Sequence, residues 1–144
     1  MGAENAHFSK TPVRNAQQCM NGVTFDAGGL IALERNDRRV LSLLATAVEN
    51  GDDVLVPATA LAQVIRNPAK QVRLWRLIQR DRTEVVPLDT AYAQAVGGLL
   101  SRTGTADITD AHVVVCARRA GHAVITSDPS DLRRLDPELR VIGV

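Results

Sequence analysis

The chain has 144 residues, 45% of them hydrophobic and 23% charged, which suffices for one globular domain with a buried core and leaves no room for a second. Seventeen basic against sixteen acidic side chains leave a net charge of +1, so attraction to nucleic acid must come from where charge is placed rather than how much there is. No run reaches the roughly 18 apolar residues of a membrane span, no basic and apolar leader marks secretion, and Cys19 and Cys116 have neither disulfide nor zinc spacing; a cytoplasmic location away from membranes is expected.

Residues 1–22 are rich in Asn, Gln, Gly and Ala without helical or strand periodicity, and are read as a poorly ordered leader before a folded domain at 23–144. The apolar run from Val23 predicts a first strand. A helical stretch follows from Ala27, then an amphipathic helix over Arg39 to Glu49 that Asn50-Gly51 stops. VLVP (54–57) predicts a buried strand. Ala58 to Ile65 reads as a helix interrupted by Pro68, and Lys70 to Arg80 as another, with Leu74, Trp75 and Ile78 on one side. EVVPL (84–88) is the third predicted strand. Asp89 or Thr90 caps a helix to Arg102, and a turn at Thr103-Gly104-Thr105 leads to a helix from about Asp107 to Ala120, ended by Gly121. AVITS (123–127) is a fourth strand, Pro129 to Leu135 a short helix, and Arg140 to Val144 a last strand. Apolar strands alternating with helices predict an α/β, three-layer sandwich around a central parallel sheet, whose ligands bind outside the carboxyl ends of the strands where strand order reverses.

Three acids stand where that rule points. Asp26 ends the first strand in VTFDAGG, Asp128 ends the fourth in VITSDPSD, and Asp110 lies in the first turn of an apolar helix in TADITDAHVVVCA. Singly, an acid after a strand is ordinarily a turn former or a helix cap. If the first and fourth strands are neighbours, the three converge, and each pair at ~5 Å with an effective dielectric of ~20 repels by about 3 kcal/mol. Three such pairs approach the stability of a small domain, so protons or a dication must relieve them. An all-oxygen cluster suits Mg²⁺ or Mn²⁺ rather than zinc. Asp107, one turn before Asp110 on the same face, is either a fourth acid of the cluster or the cap of its helix. Asp131 is placed to start the short helix after Pro129, and from there either only starts it or also reaches the edge of the site. Glu34, about 12 Å along its helix from Asp26, is read as a solvated surface charge.

The stretch from Val23 to Val144, through its motifs TFDAGGLIALE (24–34), VPATALAQVIR (56–66), TDAHVVVCARRAG (109–121) and VITSDPSDLRRL (124–135), resembles the PIN-domain ribonucleases, in particular the VapC-like toxins of bacterial type II toxin-antitoxin pairs. The resemblance implies a PIN-like fold and an endoribonuclease that hydrolyses RNA phosphodiester bonds with Mg²⁺ or Mn²⁺ held by Asp26, Asp110 and Asp128 as the catalytic acids. It also implies a cognate antitoxin that covers the acidic cleft, and a homodimer. Two positions depart from the family pattern. Gln63 stands where the helix after the second strand usually supplies a glutamate, and an amide offers a carbonyl oxygen but no charge to neutralise a cation, which weakens a metal site. Gly28 stands where a Ser or Thr is common two residues after the first acid, so Thr126 and Ser127 remain, with Gln63, as the polar residues expected to support the acids.

Among the basic residues only Lys10 and Lys70 are lysines; the other 15 are arginines, suited to paired contacts with phosphate. Arg66, Lys70, Arg73, Arg76 and Arg80 recur at intervals of three or four, which predicts either an RNA-phosphate track or a solvated face. Arg118-Arg119 with Arg133-Arg134 form a second cluster. His112 and His122 have no partner acid or nucleophile at a helpful spacing, and aromatics at 3% leave no stacking platform for bases. Two other functions remain open. A PIN-like module that binds RNA or protein without cleaving is suggested by Gln63, whereas an aspartate-based phosphoryl-transfer domain lacks a second acid beside Asp26 and any lysine after Lys70.

Overall fold

The computed structural model describes residues 22–144. The expected leader lies outside them, except for Gly22, which opens the first strand. That strand, β1 (Gly22–Phe25), is buried at every position, as a strand must be when helices cover both faces of its sheet. It pairs in parallel with β2 (Asp53–Pro57) on one side and β4 (Ala123–Thr126) on the other; β3 (Thr83–Val86) lies outside β2, and β5 (Val141–Gly143) outside β4. The order across the sheet is 3-2-1-4-5, all parallel.

Right-handed crossovers then fix which helix covers which face. The chain steps from β1 to β2 to β3 through α1 (Ala27–Glu34), α2 (Arg38–Asn50), α3 (Ala58–Val64) and α4 (Val72–Gln79), which gather on one face. It crosses back to β4 through α5 (Thr90–Thr103) and α6 (Ile108–Ala120), and on to β5 through α7 (Pro129–Leu135), all on the other face. The core between these layers holds Phe25, Leu30, Val54, Leu74, Ile125 and Leu132 among its most buried side chains. The α/β three-layer sandwich expected from the sequence is the observed architecture, with five strands and seven helices among the described residues.

Local chemistry explains most element ends. Asp26, Asp37, Asp89 and Asp107 each accept a backbone N–H in the first turn of α1, α2, α5 and α6, so the cap of α5 is Asp89 rather than Thr90. β3 ends before Pro87, whose missing N–H cannot extend the ladder. β4 ends at Thr126 rather than Ser127, because the Thr126 hydroxyl accepts the Asp128 N–H at 2.9 Å and turns the chain out of the sheet. The expected helix from Lys70 to Arg80 is divided: a single 3-10 turn spans Pro68–Lys70, and α4 begins only at Val72. Gln71 causes the break. Its side-chain oxygen accepts the N–H groups of Arg66 and Asn67 while its amide donates to the Val64 carbonyl at 2.8 Å, which closes the loop after α3 on itself.

The strongest constraint lies at the start of α1. AGGLIALE is apolar on all sides because α1 is pressed between neighbours, and it touches the backbone of β4: a Cβ on Gly29 would overlap the Ile125 carbonyl. A helix interior ordinarily favours Ala over Gly by about 1 kcal/mol. Here the sign reverses, since backbone cannot give way as a side chain can. Gly29→Ala should therefore lower stability by about 1–3 kcal/mol, the usual cost of overpacking, and urea denaturation at neutral pH measures it.

Candidate active site

β1 and β4 are adjacent, and strand order reverses there, so the residues leaving their carboxyl ends meet. Asp26 leaves β1 and is 7% exposed. Its backbone N–H continues the ladder to the Ile125 carbonyl at 3.2 Å, while its carboxylate caps α1 by accepting the Gly29 N–H at 2.7 Å and a further bond from Gly28. The fully buried Thr126 donates its hydroxyl to the same carboxylate and accepts the Asp128 N–H, so one side chain links the first acid to the third. Burial is the largest influence on Asp26 and raises its pKa above the ordinary value; the Thr126 and Gly29 donors pull the other way, and the Asp128 charge adds to the rise.

Asp110, half-buried in the first turn of α6, is where the acids converge. Its carboxyl is pushed up to about 6, first by burial and then by the charges of Asp107, Asp131, Asp26 and Asp128. Asp107 is the cap of α6, accepting the Asp110 N–H at 2.9 Å, and at the same time the nearest acidic influence on Asp110; the two roles that the sequence left open are both filled. Asp131 stands in the first turn of α7 and acts on Asp110 ahead of Asp26 and Asp128, so it both starts its helix and reaches the cluster. Asp128 sits exposed on the rim, with its carboxylate accepting the Ser130 hydroxyl at 2.8 Å and its pKa lowered by that bond.

This donor set fits a hard dication in chemistry: oxygen ligands only, partly desolvated, and crowded enough that burial and then the neighbouring acids push one member, Asp110, up to about 6. Among the described residues no three of the acids yet stand together in a ready ligating group. Gln63 lies beside the cluster, since its amide donates to Thr109, the residue before Asp110, at 3.0 Å. Thr59, one turn earlier on α3, is 2.8 Å from Nδ1 of His112 on α6, so two side-chain bonds clasp α3 to α6.

Both histidines are structural. His112 is fully buried against Tyr92, and His122, buried at the opposite end of the sheet, bonds Thr24 at 3.1 Å; burial lowers the pKa of each. Glu34, read from sequence as a solvated charge, instead accepts the Leu74 N–H at 2.7 Å and holds the first turn of α4. The arginine stripe is shorter than its spacing suggested. Arg66, Arg73 and Arg76 are exposed, but the Arg80 guanidinium bonds the Asp52 carbonyl at 3.1 Å, where β2 and β3 begin, away from the acids. Arg118 and Arg119 end α6 about 12 Å along its axis from Asp110; Arg118 pairs with Asp136, and Arg119 covers the Tyr92 ring.

The shifted Asp110 makes stability depend on pH. The unfolded chain releases this proton near the ordinary 3.8 and the folded chain near 6, so the contribution is complete below about pH 4 and is lost as pH rises through about 6. Asp110→Asn removes the repulsion and should stabilise the metal-free protein at pH 7.5 by about 1 kcal/mol, after allowance for solvent screening of a half-exposed group. Urea denaturation should show the gap closing by pH 4.

No curated protein matches the chain in sequence. Solved structures that share its fold include VapBC2 from Rickettsia felis bound to a DNA fragment from their promoter, with a TM-score of 0.65 and 14% identity over 85% of this chain and 98% of that one. FitAB bound to the IR36 DNA fragment superposes with a TM-score of 0.58 and 18% identity, covering 84% of this chain and 94% of that one. FitAcB from Neisseria gonorrhoeae gives 0.57 and 17%, covering 84% and 96%. The PIN domain family matches residues 23–137, the whole span from the first strand through the last of the clustered acids, and the chain belongs to that family.

Proposed function

We propose that this PIN domain is a metal-dependent endoribonuclease that acts as the toxin of a toxin-antitoxin pair in the cytoplasm. The grouping of Asp26, Asp110 and Asp128 at the strand-order reversal, with the Asp110 carboxyl pushed up to about 6 by burial first and by its acidic neighbours second, carries the reading. Asp26, Asp110 and Asp128 would hold the ion, with Asp107 beside them. Bound there, Mg²⁺ or Mn²⁺ supplies a water activated for attack and charge stabilisation on the phosphodiester. The protein's own part is positional: capping bonds fix Asp26, the Thr126 hydroxyl ties Asp26 to Asp128, and the clasp between Gln63 and Thr109 sets the start of α6. Asp110 must shed its proton to receive the ion, so affinity of the metal-free chain for Mn²⁺ should rise with pH through about 6. The fold shared with VapBC2 and FitAB supports a cognate antitoxin partner; in this reading the antitoxin covers the acidic cleft and the chain forms a homodimer.

Gln63 favours a second reading, a PIN-like module that binds RNA or protein without cleaving it, because the site lacks one negative charge. One experiment separates the two. Cleavage of single-stranded RNA by the wild-type chain with Mg²⁺ or Mn²⁺ establishes the nuclease; no cleavage by the wild type but measurable cleavage by Gln63→Glu establishes the lapsed site. In the nuclease reading, Asp26→Asn and Asp128→Asn each abolish cleavage with the fold intact, since Asn also caps a helix from position 26 and the Asp128 side chain is exposed. Full activity in either variant overturns the assignment.

The basic residues make a separate prediction. Arg73 and Arg76 remain free to meet RNA phosphates, whereas the Arg66 guanidinium already donates to the Ile65 carbonyl at 2.7 Å; changing Arg73 and Arg76 to Gln should flatten the dependence of log K on log salt by about 0.7 for each lost contact. Arg80→Gln should leave that slope unchanged and lower thermal stability instead, because its guanidinium holds the start of β2. Fluorescence anisotropy across a salt series, in metal-free buffer, measures both.

A further inference from the structure

The absence of a hydroxyl at position 28 has a spatial counterpart. A Cβ on Gly28 would overlap the Ser127 hydroxyl oxygen and lie within 3.1 Å of the Ser127 Cβ and 3.2 Å of its backbone nitrogen. The two positions thus compete for one volume, between the first turn of α1 and the end of β4. Glycine on the helix side leaves that volume to the serine on the strand side. The side chain so seated lies between Asp26, whose carboxylate accepts from Gly28 and Gly29, and Asp128, the next residue in the chain.

The neighbouring hydroxyls are all engaged. Thr126 bonds Asp26 and the Asp128 N–H, Thr109 bonds Gln63, Ser130 bonds Asp128, and Thr59 bonds His112. Ser127 is exposed, and its hydroxyl has no hydrogen-bond partner among the described residues. A neutral donor is also what a rim crowded with carboxylates needs toward an anion, since every other exposed side-chain oxygen of the acid cluster is an acceptor that repels phosphate.

We propose that the Ser127 hydroxyl donates a hydrogen bond to a non-bridging phosphate oxygen of the RNA substrate, and that position 28 is glycine because this hydroxyl occupies the space a side chain there would fill. The inference rests on the nuclease reading for the identity of the substrate, and it assigns the group that holds the reacting phosphate against the acids. The hydroxyl is delivered from the strand end instead of from the helix, so the two positions are interchangeable as a pair and not singly.

Three variants of the full chain test this: Ser127→Ala, Gly28→Ser, and the exchange Gly28→Ser with Ser127→Gly. Each is measured for affinity to a fluorescein-labelled single-stranded RNA in metal-free buffer, for cleavage with Mn²⁺, for Mn²⁺ binding by calorimetry, and for thermal melting. Ser127→Ala should weaken RNA affinity and slow cleavage by about tenfold or more, the expectation for a lost hydrogen bond to a charged group, with Mn²⁺ binding and melting unchanged. Gly28→Ser alone should melt earlier, because its side chain meets Ser127. The exchange should restore both melting and RNA affinity to within about threefold of the wild type. RNA affinity and cleavage within about twofold of wild type in Ser127→Ala overturn the proposal, as does an exchange that recovers melting but not affinity. A wild type that binds RNA through Ser127 yet cleaves nothing defeats the nuclease reading alone, and a wild type that binds no RNA defeats both.

Discussion

The backbone contact between α1 and the end of β4 organises everything that follows. Gly29 brings the helix against the Ile125 carbonyl with no side chain between them, which puts the first turn of α1 directly over the junction of β1 and β4. A helix start so placed presents N–H groups at the carboxyl ends of the central strands, and the residue that caps it must be an acceptor buried at that spot. Asp26 fills that role. The same geometry that requires a cap therefore installs a partly desolvated carboxylate, and Thr126 and Asp128 are brought to it by the ladder register that pairs Phe25 with Ile125. The site is a by-product of close packing at one strand pair.

Much of this was legible in the sequence because the signals were local. Apolar strands, aspartate caps and glycine helix stops each act within a few residues, and they gave the α/β class, the strand count and the three acids at strand or helix starts. What was not legible depended on contacts between distant segments. Glu34 looks like a surface charge in ALERND until the N–H of Leu74, forty residues later, turns out to need an acceptor. Arg80 fits the arginine spacing perfectly well and is nevertheless drawn to the Asp52 carbonyl, because α4 runs toward the beginning of β3 and carries its last turn away from the acids. Gln71 carries no sequence signature at all, yet its side chain shapes the loop that holds Arg66. For Asp131 the sequence left open whether it only starts its helix or also reaches the site, since the answer depends on how α7 packs beside α6.

Charge is unevenly arranged along the sheet axis. The acids gather at the carboxyl ends of the strands, whereas Arg80, Arg82, Arg118 and Arg119 lie toward the amino ends, each occupied by a carbonyl, a carboxylate or an aromatic face. Cations are favoured at the acids; exposed Arg133 and Arg134 stand on α7 with Asp131, Arg134 within 4.0 Å of it, while exposed Arg73 and Arg76 lie on α4. Cys116 takes no part in this chemistry: buried among valines, with its thiol pushed up to about 12, it is inert as a nucleophile.

The strand order also sets a schedule for the protein during its synthesis. β1 finds β2 about thirty residues later, but its other neighbour begins at Ala123, a hundred residues downstream of Val23. A ribosome has therefore released most of the chain before the central strand can be covered on both edges, and Asp128 emerges after every other acid of the cluster except Asp131. Long-range parallel pairing of this kind is slow because loop entropy must be spent before contacts repay it. A chain interrupted before β4 carries Asp26, Asp107 and Asp110 but neither Asp128 nor Asp131, so an incomplete copy has part of the acid cluster and no site.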